Sequence, residues 1–311
     1  MGSVAFVFPG QGSQYVGMGK ALAEAFPEAK AVFDAADDAL GEKLSALCFE
    51  GPEEALKLTA NTQPAILTVS VAAHAVFSKR FGQAPAFVAG HSLGEYSALV
   101  AAGAMSLADG VRSVRARGTF MQEAVPAGVG AMSAVLGLSP DKVQALCVEA
   151  AQGEVVSCAN FNEPAQTVIA GHAKAVERAG ELLKAAGAKR VLPLPVSAPF
   201  HCALMAPVVP RLDEVLTKVA FKAPVAPVVT NVEATPNADA ARIKELLLRQ
   251  VTGSVRWIEC VQALQQGGVT KVIELGPGKV LCGLVRRIAK DLECVNVEDP
   301  ASLEKALAPS A

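Results

Sequence analysis

The sequence predicts an α/β protein in which a mainly parallel sheet with flanking helices is interrupted by a smaller unit of different grain. Three observations predict it. Short apolar runs such as Val4-Ala5-Phe6-Val7-Phe8 stop at Gly/Pro loops and give way to alanine-rich segments of helical spacing. After Pro126-Ala127-Gly128 the pattern shortens to β-α-β-β-α-β, and long helices alternating with buried strands return after residue 203. Of 311 residues, 51% are hydrophobic and 19% charged, which supplies a large core and excludes intrinsic disorder.

The elements follow in order. The first strand, 4–8, ends at Pro9-Gly10-Gln11-Gly12-Ser13 and leads into helices. Between Gly41 and Phe81 the spacing is helical, with Pro52 and Pro64 placed as first-turn prolines. Residues 85–89 read as a second buried strand; helix signals resume at Leu93, and from there 98–104 and 107–124 read as two helices, the latter capped by Ser106. The inserted unit is predicted as strand 131–136, helix 140–151, strands 154–160 and 166–170, helix 173–186 and strand 189–194, the order of a ferredoxin-like βαββαβ subdomain. Beyond it come a helix from 203 to about 218, a strand at 227–230, helices near 239–249 and 257–266, a strand at 270–275 and a final helix.

Charge and cysteine content exclude several classes. Lys and Arg number 28 against 30 Asp and Glu, a formal net charge of −2, so a uniformly basic nucleic-acid surface is out and any anion site must be local. The seven cysteines are scattered without a C-x-x-C pair, which encodes neither a zinc site nor a disulfide framework; they read as buried thiols of a cytoplasmic protein. The N-terminal residues carry no export or myristoylation signal, and the longest apolar stretch, 64–77, is too short to cross about 30 Å of hydrocarbon. No membrane association, nucleic acid or metal is expected.

The sharpest local feature is Gly90-His91-Ser92-Leu93-Gly94, set between a predicted strand and a predicted helix, the context of a nucleophile elbow. The glycines permit a tight turn that lifts Ser92 above the sheet edge, and a helix N-terminus behind it offers N–H groups to an oxyanion. A serine needs a base, and four histidines are present. His74 lies in an alanine-rich helix and reads as core, His91 points away from its neighbour at a sharp turn, and His172 ends a strand of the insert. His201, after Val196-Ser197-Ala198-Pro199-Phe200 where the chain re-enters the main body, is placed at an interdomain cleft. Gly10-x-Gly12 and Gly276-x-Gly278 match neither a dinucleotide fingerprint nor a P-loop. Arg117 has Val114, Phe120 and Met121 around it at helical spacing; a guanidinium on such a face needs a carboxylate, from the protein or from a ligand.

Taken together, Phe8-Pro9-Gly10-Gln11-Gly12-Ser13-Gln14, Gln63-Pro64, Gly90 to Leu99, Arg117-Gly118, Asn160-Phe161-Asn162, Pro199-Phe200-His201 and Gly276-Pro277-Gly278 resemble the malonyl-CoA:acyl-carrier-protein transacylases of bacterial type II fatty-acid synthesis, over essentially the whole chain. The resemblance implies an acyltransferase that moves malonyl from malonyl-CoA to the phosphopantetheine thiol of acyl carrier protein by a ping-pong route through a malonyl-Ser92 ester. It implies His201 as base, backbone N–H groups of Gln11 and Leu93 as oxyanion hole, the backbone carbonyl of Gln250 as orienter of His201, and Arg117 as partner of the malonyl carboxylate. Gln63 and Asn162 would line the same pocket, and Phe200 fits a malonyl-selective pattern. Lys189, Arg190, Arg286 and Arg287 are candidates for CoA phosphates or the carrier protein. No cofactor is implied, since the CoA thioester is a substrate, and a monomer is expected.

Two other readings are weighed against this one. A serine hydrolase shares the elbow but would carry Ser, Asp or Glu, then a late His, whereas His201 lies mid-chain; an inactive carrier-binding module would have lost Ser92 or His201. The resulting expectation is an α/β-hydrolase-like core over 1–127 and 197–311, with a ferredoxin-like subdomain at 128–196 and the site between them.

Overall fold

The computed structural model describes residues 3–126, 128–196 and 198–308. A six-stranded sheet forms the body, in the order β10-β9-β1-β2-β7-β8. Its strands are β1 (Ser3–Phe8), β2 (Phe87–Gly90), β7 (Val228–Val229), β8 (Pro236–Asn237), β9 (Val269–Leu275) and β10 (Glu293–Val297). All neighbours run parallel except β7 and β8. Residues 4–8 of β1 and Phe87–Gly90 of β2 run without a polar side chain because both faces of the sheet are covered. On one face Phe6 and Phe8 pack against α2 (Pro27–Leu40), α5 (Thr59–Phe81), α6 (Gly94–Ala101) and α7 (Leu107–Glu123); on the other Ala5 and Val7 meet α12 (Trp257–Gln266) and α13 (Val280–Ile288).

The second sheet has the order β4-β5-β3-β6 and is antiparallel throughout. It comprises β3 (Gly130–Leu136), β4 (Val156–Glu163), β5 (Gln166–His172) and β6 (Arg190–Pro193), with α8 (Pro140–Ala151) and α9 (Ala173–Ala185) on one face. This is the predicted βαββαβ arrangement. Its opposite face, through Met132, Ala134, Val168 and Ala170, packs on Cys202 and neighbouring residues of the returning chain, which brings that segment between the two sheets.

Several expectations are corrected. Pro64 is not a first-turn proline: α5 begins at Thr59, one turn earlier, where the Thr62 hydroxyl donates to the carbonyls of Leu56 and Leu58 and holds the chain helical before the proline. Pro52 lies just outside the short α4 (Glu53–Lys57). The helix expected from 203 is a 3-10 turn at 203–205 followed by α10 (Val208–Leu216), whereas the helix after the elbow starts at Gly94 with Leu93 as its N-cap, where helix signals resume in the sequence. The chain does not end on α13 but continues through β10 to α14 (Pro300–Leu307), capped by Asp299 and Ser302. Cys282 and Cys294 form a disulfide with Cα atoms 5.3 Å apart, because α13 and β10 both pack beside β9; the other five cysteines are buried thiols. Among the described residues no helix is long and apolar enough to cross a membrane.

Candidate active site

The site begins with the register of two strands. β1 and β2 pair so that Phe8 lies opposite Gly90, and both carboxyl ends open at one edge of the sheet. That edge is where ligands of parallel sheets collect. A Cβ on Gly90 would stand 1.9 Å from the Gly94 carbonyl, and one on Gly94 would stand 2.0 Å from the Phe8 carbonyl oxygen. Only glycine therefore lets the turn close. Ser92, at the apex, adopts φ 51°, and its N–H donates to Asn231 Oδ1 at 2.7 Å, while Asn231 Nδ2 donates to the Gly90 carbonyl at 2.7 Å. Asn231, just after β7, thus pins both sides of the elbow. Leu93 heads α6, so its N–H has no intrahelical acceptor.

His201 Nε2 lies 2.6 Å from Ser92 Oγ. Its Nδ1 lies 2.9 Å from the Gln250 carbonyl and 3.2 Å from that of Gly253. Two carbonyls can only accept, so Nδ1 carries the hydrogen and Nε2 is left to accept the serine proton. Burial first, then the Arg117 charge, pushes the imidazole down to about 3, which keeps it neutral.

Arg117, from α7, is 1% exposed. Its Nη1 donates to Gln63 Oε1 at 2.8 Å, and its Nη2 donates to Gln250 Oε1 at 3.0 Å and to Ser92 Oγ at 3.2 Å. The Nε is buried without a partner, and Tyr96 offers a ring face at 5.6 Å. Among the described residues no carboxylate lies within ion-pair distance of it. A buried cation held only by neutral groups is incomplete, and an anion of suitable size completes it.

These groups face a cavity of about 110 Å³ lined by Gln11, Gln63, Ser92, Leu93, Arg117 and His201, with Met121, Met132, Asn160, Leu194, Val196 and Phe200 supplying most of the remaining wall. Gln250 is bonded to two of the lining residues, Arg117 through its side chain and His201 through its carbonyl. Asn162 lines an adjoining cavity of about 220 Å³ that shares Gln11, His91, Asn160 and Leu194 with the first, and its Oδ1 accepts from His91 Nε2 at 2.8 Å. Where β4 shifts register around Asn160 and Phe161, Asn160, whose Oδ1 is buried without a partner, lines both this cavity and the Ser92 cavity. His91 is a scaffold residue with its ring 5.7 Å from Trp257, His74 packs on Phe6 and Phe8, and His172 Nδ1 accepts from Val155 N–H. Lys189, Arg190, Arg286 and Arg287 are exposed, with Arg287 3.4 Å from Glu163. Ser197 lies outside the described residues.

Sequence reasoning missed Asn231 and the role of Glu95. Asn231 follows a strand of the parallel sheet, a position that carries site residues, and Glu95 is a carboxylate in an otherwise apolar run three residues after Ser92. Glu95 is buried, and its Oε2 accepts from Asn231 N–H at 2.9 Å and from Gln250 Nε2 at 2.8 Å.

Nucleophile, neutral base, N–H donors and a buried cation around one small cavity are the parts of an acyl-transfer site selective for a charged acyl group. The chain is 52% identical over 307 residues to the malonyl CoA-acyl carrier protein transacylase of Salmonella typhimurium, covering 99% of each. The structure superposes with a TM-score of 0.95 on an acyl carrier protein S-malonyltransferase from Vibrio cholerae, at 52% identity over 98% of this chain and 99% of that one. It superposes equally, with a TM-score of 0.95 and 50% identity over 98% and 99%, on a malonyl-transacylase in complex with its holo type II PKS acyl-carrier protein. A model of the acyl transferase domain matches residues 5–304, and the chain belongs to the acyl transferase family.

Proposed function

We propose that this protein transfers malonyl from malonyl-CoA to the phosphopantetheine thiol of acyl carrier protein, supplying the extender unit of fatty-acid synthesis. Ser92 Oγ attacks the thioester carbonyl as His201 Nε2 takes its proton, and the N–H groups of Gln11 and Leu93 receive the oxyanion. Collapse breaks the C–S bond, the proton passes from His201 to the departing CoA thiolate, and malonyl-Ser92 remains. The carrier thiol then gives its proton to His201 and attacks the ester carbonyl; the ester C–O bond breaks, and Ser92 Oγ leaves with the proton that His201 returns. The observation that carries this reading is Arg117: a buried guanidinium 3.2 Å from the nucleophile that, among the described residues, no carboxylate contacts directly. It pairs with the malonyl carboxylate, while Gln63 holds its other arm.

No cofactor enters this route. Lys189, Arg190, Arg286 and Arg287 supply positive charge for CoA phosphates or an acidic carrier. Residues 1–127 with 197–311 form the catalytic body and 128–196 the small subdomain; the junction residues Ala127 and Ser197 lie outside the described residues. The protein acts as a cytoplasmic monomer in this reading.

The test is intact mass after mixing with malonyl-CoA. One malonyl adduct, mapped to Ser92, discharged by holo-carrier protein faster than by water and missing in Ser92→Ala, is the expected result. An adduct elsewhere, or none, overturns the mechanism, and discharge to water as fast as to carrier favours a hydrolase.

A further inference from the structure

Glu95 lies at one end of a bridge that the acyl-transfer chemistry does not itself require. The side-chain amide of Gln250 joins two buried charges: its Oε1 accepts from Arg117 Nη2 at 3.0 Å and its Nε2 donates to Glu95 Oε2 at 2.8 Å, with a further bond to the Ser92 carbonyl at 3.0 Å. Arg117 and Glu95 are thus one cation and one carboxylate that touch only through an amide. Adding a substrate carboxylate at Arg117 places two negative charges about a single positive one in a medium where water cannot screen them.

We propose that Glu95 is a positioning residue that balances Arg117 through Gln250 in the free enzyme and takes up a proton when a malonyl carboxylate binds. The inference rests on the transferase reading of Arg117. Burial first pushes the Glu95 carboxyl up to about 7, against the stabilising bonds from Asn231 and Gln250 and the Arg117 charge, so the proton is exchanged near neutrality. The other titratable groups of the site are shifted away from neutrality. Tyr96 of α6 and Cys260 of α12 are pushed upward by burial, and His201 and His91 are pushed downward. Glu95 also lines a cavity of about 10 Å³ with Thr230, whose Oγ1 is buried without a partner, so a protonated carboxyl has a polar neighbour.

Both donors converge on one oxygen, so Glu95→Gln keeps an acceptor there and removes only the charge. The test uses malonyl-N-acetylcysteamine, which lacks the titrating CoA phosphates, with Ser92→Ala to prevent turnover. Calorimetry at pH 7 in two buffers of different ionisation heat should show proton uptake on malonyl binding, none with acetyl-N-acetylcysteamine, and none in Ser92→Ala/Glu95→Gln. Between pH 6 and 8.5 the dissociation constant should weaken by about threefold or more in Ser92→Ala and stay level in the double variant. Binding without proton uptake in Ser92→Ala, a measurement that does not depend on how Glu95→Gln folds, overturns the inference alone, as does uptake that persists without Glu95. No binding together with no malonyl-Ser92 in the wild type removes the transferase reading, and this inference with it.

Discussion

Ser92 Oγ and His201 Nε2 stand 2.6 Å apart across 109 residues of sequence, and both residues hold left-handed backbone, with φ of 51° and 57°. Such a conformation costs a non-glycine residue about 1–2 kcal/mol, so the fold holds two strained residues in contact. The working form of His201 is the neutral ring, and its basicity is pushed down to about 3. The rate of malonyl-Ser92 formation at saturating thioester should therefore stay level from pH 8 to pH 5 and fall only below that. In Arg117→Ala, which removes one of the charges depressing His201, the acid limb measured with an acetyl thioester should move upward. Single-turnover mass spectrometry reads both limbs; a wild-type limb centred near 6.5 would contradict the burial argument.

Arg117→Ala should reduce kcat/KM for malonyl-CoA by about thirtyfold or more, the scale of a lost charged hydrogen-bond pair, and acetyl transfer far less. Arg117→Lys should not restore malonyl transfer, because an ammonium cannot hold Gln63, Gln250 and a carboxylate in one plane. Equal losses for both acyl groups would make Arg117 a structural residue.

Gly90→Ala should cost about 3 kcal/mol or more, because its Cβ would meet Gly94 backbone, which cannot swing aside. Gly283→Ala, in α13 with nothing within 4 Å of the added Cβ, should instead stabilise by about 0.5–1 kcal/mol. Chemical denaturation of the two variants checks the opposite signs; a Gly90→Ala protein as stable as the parent would mean the elbow can relax.

Glu274 of β9 accepts from the N–H groups of Leu281 at 3.0 Å and Cys282 at 2.8 Å, and burial pushes its carboxyl up to about 7. A raised carboxyl favours the folded state while protonated, so its contribution is complete below the unfolded value near 4.5 and is lost as pH rises through about 7. The melting temperature of the wild type relative to Glu274→Gln should accordingly fall between pH 5 and pH 8. His74 and His201 act in the opposite sense but are common to both proteins and cancel; a constant difference would refute the assignment.

The parts of the site legible in sequence were those fixed by local geometry. Gly90 to Gly94 between strand and helix announces the elbow, and Ser106 caps α7 through Asp109 N–H as its position implies. The βαββαβ order reads directly because each segment has its own period and turn residues. Asn231 and Glu95 were not legible as partners, since what joins them is a hydrogen bond across 136 residues. Asn160 and Asn162 could not be told apart because strand alternation fails where β4 shifts register. β10 was missed because Glu293 and Asn296 break its apolar run, although Asp299-Pro300 before α14 is a capping signal that sequence does carry.

The sheet order has a consequence for how the chain is made. β1 is synthesised first yet ends in the middle of the sheet, between β2 and β9. Pairing with β2 waits only for residues 87–90, but the other edge of β1 meets no strand until residues 269–275 have emerged. During most of translation the growing chain therefore carries an apolar strand with an open edge, a template for pairing with other chains. Gln250, which orients His201, emerges shortly before β9, so a nascent chain exposes the open edge of β1 and an unassisted Ser92 over nearly the same interval, and both are resolved once residues 250–275 have emerged.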